Sequence, residues 1–202
     1  SATLSPTAVL GNYNITYNTA NFTITAKPLT ITADAGQTKI YGVTPDPTLT
    51  YTTSGLVNGD TAAVLTGGLT RATGENVDAY AISSSLANPN YVITFIPANF
   101  TITKKDASVT PAVNSKTYGD GEPTFVGTLS GFVDSDNVTA TYGRVGGETV
   151  ADSPYTISAT LSPAAVLGNY NITYNTANFT ITAKPLTITA VAKSKIYGDA
   201  DP

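Results

Sequence analysis

The fourteen residues NYNITYNTANFTIT occupy positions 12–25 and recur, letter for letter, at 169–182. The identity extends further: residues 1–33 and 158–190 differ at one position, where Thr7 faces Ala164. A diverged copy lies between them. Asn90-Tyr91 answers Asn12-Tyr13 and Asn169-Tyr170, and Phe100 and Ile102 answer Phe22 and Ile24. A chain that repeats itself at roughly 78 residues folds as tandem small units, each leaning on its neighbours. Near-identity at outward-type Asn and Thr positions points to a recent duplication, since packing alone does not fix such residues. The expectation is a parent protein with more repeats, checked by the length of its gene.

Two further landmarks keep the same spacing. Tyr-Gly stands at Tyr41-Gly42, Tyr118-Gly119 and Tyr197-Gly198, each preceded by a lysine (Lys39, Lys116, Lys195). An acidic residue and proline follow: Asp46-Pro47, Glu122-Pro123 and Asp201-Pro202. Ser54-Gly55-Leu56-Val57 is echoed by Ser130-Gly131-Phe132-Val133.

Between the landmarks, apolar residues alternate. Tyr13, Ile15 and Tyr17 share one parity, and Phe22 and Ile24 the next. A period of two marks strands with one buried face. After Lys27-Pro28 the alternation resumes as Leu29, Ile31, Ala33, with the opposite parity. The switch recurs at 104–106 and at Lys184-Pro185. A change of parity sends the strand to a different core. The expected divisions are therefore 1–26 as the end of one repeat, 27–103 and 104–182 as complete repeats, and 183–202 as the start of another. Junctions of two or three residues, two of them containing Pro, make stiff joints rather than flexible tethers. Residues 60–67 break the strand pattern with Asp60, an Ala-rich tract and Gly67, which predicts a short helix over 60–66. Each unit then reads strand, strand, short helix, three strands.

These motifs resemble the MBG domain of bacterial surface proteins, in its Tyr-Gly (YGX) type. The resemblance rests on Lys-x-Tyr-Gly with its acidic-Pro pair and on the closing NYxIxYxxxxFTIT run, and it covers essentially the whole chain. It implies tandem, mainly β, small β-grasp-like domains with one short helix each. It also implies very large adhesins exported to the bacterial cell surface or secreted, and it supplies no catalytic residues. The expectation is that the repeats form a stalk holding a separate adhesive domain away from the cell, with neighbouring repeats as partners and host or environmental glycans met through other domains; the alternative is weak multivalent binding of glycans or mucins by the repeats themselves. The alternative architecture is an immunoglobulin-like β-sandwich, which needs no helix at 60–66. The first copy departs from the pattern, with Val43 where the others carry Asp120 and Asp199.

Composition narrows the chemistry. Charged residues are 12% of the chain and the net charge is −4, which argues against nucleic acid as a partner. Cys and His are both absent. Thiol chemistry is therefore unavailable, and so are the usual neutral-pH base and the commonest metal ligand. No catalytic residue and no cofactor is expected, and no apolar run reaches the length of a membrane span. The candidate ligand-binding residues are Tyr41, Tyr118 and Tyr197, whose rings could stack on sugars; the plainer reading makes each Tyr-Gly a structural turn. Asp134 and Asp136 open like a calcium loop, but Thr139 and Val145 stand where such a loop needs Gly and Glu. Outward Thr pairs such as Thr23/Thr25 are ordinary strand exteriors.

Overall fold

A computed structural model describes residues 2–202. The chain is mainly β, and it forms two compact units that interleave along the sequence. The first comprises the segment ending at Gln37 with Thr48–Ala72 and Ala81–Phe100; the second comprises Thr38–Pro47, Thr73–Tyr80 and Thr101–Pro202.

In the first unit, β1 (Lys27–Ala33) lies between β3 (Tyr51–Ser54) and β6 (Tyr91–Ile96), antiparallel to the former and parallel to the latter. The alternation seen in sequence places Leu29 and Ile31 inward, where they meet Tyr91, Leu56, Val64 and Phe95. Burying a side chain of this size stabilises by about 1.5–3 kcal/mol. Strands β4 (Leu69–Arg71) and β5 (Ala79–Ser84) pair as an antiparallel hairpin. Arg71 stacks its guanidinium 5.4 Å from the centre of the buried Phe100 ring.

In the second unit, β8 (Lys105–Pro111) lies between β10 (Gly127–Ser130) and β13 (Tyr170–Tyr174), with the same two senses of pairing. A second sheet runs in the order β11 (Thr139–Arg144), β12 (Tyr155–Ser162), β14 (Ala177–Thr182), β9 (Asn114–Thr117). Its inward residues Tyr155, Ile157, Phe179 and Ile181 form a core with Phe125 and Ala177. The short strand β2 (Thr38–Ile40) also belongs to this unit and runs parallel to the end of β7 (Asn99–Thr103), as β9 does to β14.

The pairings therefore recur one repeat apart, but each repeat holds three strands before its helical turn and four after. The extra strands, such as β3 and β10, are four residues long and lack the alternation that would mark them. The expected helix at 60–66 contracts to a 3-10 turn, Ala62–Val64, capped by Thr61 at 3.4 Å rather than by Asp60. Asp60 is engaged elsewhere, as an acceptor for the Tyr91 hydroxyl. The corresponding turn of the second repeat is Asp134–Asp136, and a single α-helical turn, Ala164–Leu167, precedes β13.

The duplicated tracts differ in state. Residues 13–26 and 183–202 form no strand. Phe22 is 91% exposed, while Phe179, at the matching place in the same fourteen-residue sequence, is 0% exposed.

Candidate functional site

The Tyr-Gly turn is held by its own backbone first. Tyr41 follows β2 and extends its pairing, donating its N–H to the Thr103 carbonyl at 2.9 Å. Gly42 has a φ of 79°, a conformation that disfavours any side chain, and the Val43 N–H closes the turn onto the Ile40 carbonyl at 3.1 Å. This geometry aims the tyrosine ring into a socket of the second unit.

The socket is built by the turn at Asp134–Asp136 and by the start of β13. The Tyr41 hydroxyl lies 3.0 Å from both carboxylate oxygens of Asp136. Tyr170 donates its own hydroxyl to the same carboxylate and accepts the Val133 N–H at 2.9 Å. The two rings meet edge-on, 5.4 Å apart at 78°, and Phe132 packs against Tyr170 at 4.9 Å. Gly42 lies so close to Val133 that an added Cβ would come within 2.5 Å of its methyl group. Beside the socket, the buried Asn169 side chain accepts the Val77 N–H at 2.9 Å and donates to Asn76 at 3.1 Å. Burial, and then the carboxylate, raises both phenol pKa values; that of Tyr170 reaches about 12. The phenols thus stay protonated and keep donating.

The first unit carries the same pieces. Tyr91 donates to Asp60 at 2.6 Å and accepts the Val57 N–H at 3.2 Å. The hydrogen bond to Asp60 is the leading cause of the raised Tyr91 pKa. Beside this pair opens a cavity of about 390 Å³ lined by Ile24, Ala26, Lys27, Val57 and Asp60. Asn90, the counterpart of the buried Asn169, is exposed.

The structure thus brings together two residues that the sequence placed in separate classes, the aromatic candidate Tyr41 and the acidic candidate Asp136. Tyr41 is 9% exposed, Tyr118 is 53% exposed, and Tyr197 is fully exposed. Asp134 lies exposed at the head of the turn. Among the described residues, no group of three or more acidic side chains could hold a metal ion, and no helix is long and apolar enough to cross a membrane.

Sequence reasoning missed the ion cluster behind each Tyr-Gly turn. Lys116 meets Glu122 at 2.8 Å and Glu148 at 2.6 Å. Arg144 grips Glu122 in bidentate fashion and also reaches Glu148 at 2.5 Å. Its guanidinium lies 4.7 Å from the centre of Phe179 and 5.2 Å from that of Tyr155. Arg144 first, then Lys116, holds the Glu122 carboxyl down at about 2. In the second unit Lys39 likewise bridges Asp46 and Glu75, each at 2.5 Å. Burial opposes charge on Lys39, but the two carboxylates outweigh it and raise its pKa. The lysine two before Tyr and the acid before Pro are therefore ion-pair partners. The recurring Arg-x-x-Gly-Glu at 71–75 and 144–148 was the signal available for the rest.

These features define tandem β-domains in which the first Tyr-Gly turn, at Tyr41, is buried against Asp136 and Tyr170. The MBG domain (YGX type) family matches the chain twice, over residues 29–101 and 107–180, and the chain belongs to that family. Tyr41 lies in the first matched stretch, Asp136 and Tyr170 in the second. No curated protein matches the chain. Among solved structures, it is similar to the immunoglobulin domains 1–4 of Sidekick-1, at 12% identity and a TM-score of 0.24. That match covers 78% of this chain, which spans about half (52%) of the solved one.

Proposed function

We propose that this chain is a structural spacer, a length of stalk in an exported bacterial surface adhesin that holds a separate binding domain away from the cell. The observation that carries the reading is the burial of Tyr41 on Asp136 and Tyr170, which links consecutive MBG repeats by a packed ring and a charged acceptor. A turn seated this way resists hinge motion, because moving it breaks the Tyr41 hydrogen bond to a carboxylate, worth about 1.5–3 kcal/mol. The role is mechanical and needs no catalysis. Neighbouring repeats are the partners, and glycans are met by other domains.

Solution scattering tests it. The expected result is a well-defined maximum dimension that spreads on Tyr41→Ala. A profile already showing freely varying angles in the unmodified chain contradicts the stalk.

One observation favours a second reading, weak multivalent glycan binding. Tyr118 is exposed beside Val150 and Lys184 at a cavity of about 370 Å³. Glycan-array binding that disappears with Tyr118→Ala supports it; no binding removes it.

A further inference from the structure

We propose that the turn from Val57 to Asp60 is a site of self-modification, where Asn58 loses ammonia to the Gly59 backbone nitrogen and becomes aspartate or isoaspartate between the two anchors of Tyr91. The proposal is independent of the stalk reading and concerns residues of the first unit alone.

Asn58 is the one asparagine in the sequence that glycine follows. Glycine has no side chain to shield its nitrogen or to restrict the backbone conformations that attack needs. Asn58 and Gly59 have φ of 58° and 80°, the left-handed pair of a mirror-image turn. The Asp60 N–H closes that turn onto the Val57 carbonyl at 3.0 Å. Both central residues are exposed, and nothing beyond its chain neighbours lies within 4 Å of a Cβ placed on Gly59. Water therefore reaches the turn, and the side-chain amide has room to swing onto the next nitrogen.

The reaction needs water and no other reagent. The Gly59 nitrogen gives up its proton and bonds to Cγ of Asn58; the Cγ–Nδ2 bond breaks, and ammonia leaves with that proton. Water then opens the cyclic imide at either carbonyl. Opening at Cγ gives aspartate on an unchanged backbone. Opening at the main-chain carbonyl gives isoaspartate, with the chain rerouted through the side chain and lengthened by a methylene.

The surroundings decide what each product does. The Tyr91 hydroxyl accepts the Val57 N–H at 3.2 Å and donates to Asp60 at 2.6 Å, so one phenol ties both ends of the turn together. In the second repeat Tyr170 ties Val133 to Asp136 in the same way, around Asp134-Ser135. Asp134 stands at the place of Asn58, so aspartate there is compatible with the clamp. Isoaspartate is not, because the longer backbone pushes Val57 and Asp60 apart and releases the phenol. The second repeat has no amide at this place to lose.

Incubating the full chain in isotopically heavy water at neutral and mildly alkaline pH, followed by peptide mapping, tests the proposal. The peptide carrying Asn58 should gain the mass of the acid ahead of every other asparagine, with heavy oxygen incorporated. The rate should rise with pH, because the Gly59 nitrogen must shed its proton. The product should resolve into two species, one of them a substrate for enzymatic isoaspartyl methylation. Tyr91→Phe keeps the ring and frees the turn, so it should speed the loss severalfold. Gly59→Ala should slow it to the pace of the other asparagines. Asn58→Asp carries the charge without the longer backbone, and circular dichroism verifies its fold; the purified isoaspartyl chain should unfold at a lower temperature than this variant. Conversion of Asn58 no sooner than the other asparagines, a rate unchanged in Tyr91→Phe or Gly59→Ala, or an isoaspartyl chain as stable as Asn58→Asp overturns the proposal.

Discussion

The phenol of Tyr41 and the carboxylate of Asp136, 95 residues further along the chain, lie 3.0 Å apart. One residue belongs to the first matched MBG stretch and the other to the second, and the acid also accepts from Tyr170. Tyr41→Phe removes a donor to a charged acceptor without changing the packed ring. We expect a loss of about 1–2 kcal/mol in the unfolding free energy of the second unit. Asp136→Asn paired with it in a double-mutant cycle gives a coupling of about 1 kcal/mol in denaturant titration. Additive effects at the two positions contradict the contact.

Gly42 and Gly119 hold nearly the same backbone, φ 79° and 83°, but differ in surroundings. A Cβ on Gly42 meets Val133, while one on Gly119 meets open space. Gly119→Ala bears only the strain of the left-handed conformation, about 1–2 kcal/mol. Gly42→Ala bears that strain and also pushes on the socket, so it is the more destabilising of the two by thermal unfolding. Equal costs mean that the Val133 contact is unimportant.

Acid weakens the second unit through Glu122. Its folded pKa, about 2, lies below its ordinary value of 4.5. Its contribution is therefore complete above 4.5 and is lost as pH falls from there toward 2. The Glu122 side chain is 43% exposed, so solvent screening keeps the effect to about 1 kcal/mol or less. Stability measured across that window should decline more gently in Glu122→Gln. Arg144→Lys should also weaken the cluster, because an ammonium cannot reproduce the bidentate grip or the stack on Phe179.

Phe179 and Phe22 share a sequence context and differ in everything else. Phe179→Ala empties a packed core and should cost about 3–5 kcal/mol. Phe22→Ala should change stability by no more than about 0.5 kcal/mol, because the ring is exposed. Comparable losses at both positions mean that the first tail is packed after all.

That same pair shows what a sequence can and cannot convey. The period of two correctly marks Leu29, Ile31, Phe179 and Ile181 as inward residues, because alternation is a property of the strand itself. The helical turn after Pro6 or Pro163 forms in both copies of the duplicated tract, since its hydrogen bonds are local. The strands that follow form only where a partner segment is present, as at 170–174 and 177–182. Pairing is non-local, so the same letters at 13–25 remain unpaired. The candidate site was half legible for a similar reason. Tyr41 and Asp136 stood out individually, but their meeting depends on how β2 and the turn at Asp134–Asp136 are placed, which no short-range pattern encodes. The lysine and acid of the Tyr-Gly motif were visible as a recurring pair, and their ion-pair geometry explains the spacing.

The joint at Tyr41 is tested most directly by a distance distribution. The chain has no cysteine, so Thr44→Cys and Thr128→Cys, both exposed within the second unit and one in each matched MBG stretch, accept spin labels at no other site. Pulsed electron–electron resonance should return one narrow inter-label distance that broadens severalfold on Tyr41→Ala. A broad distribution in the unmodified joint, or a narrow one that survives loss of the ring, would contradict a rigid Tyr-Gly joint.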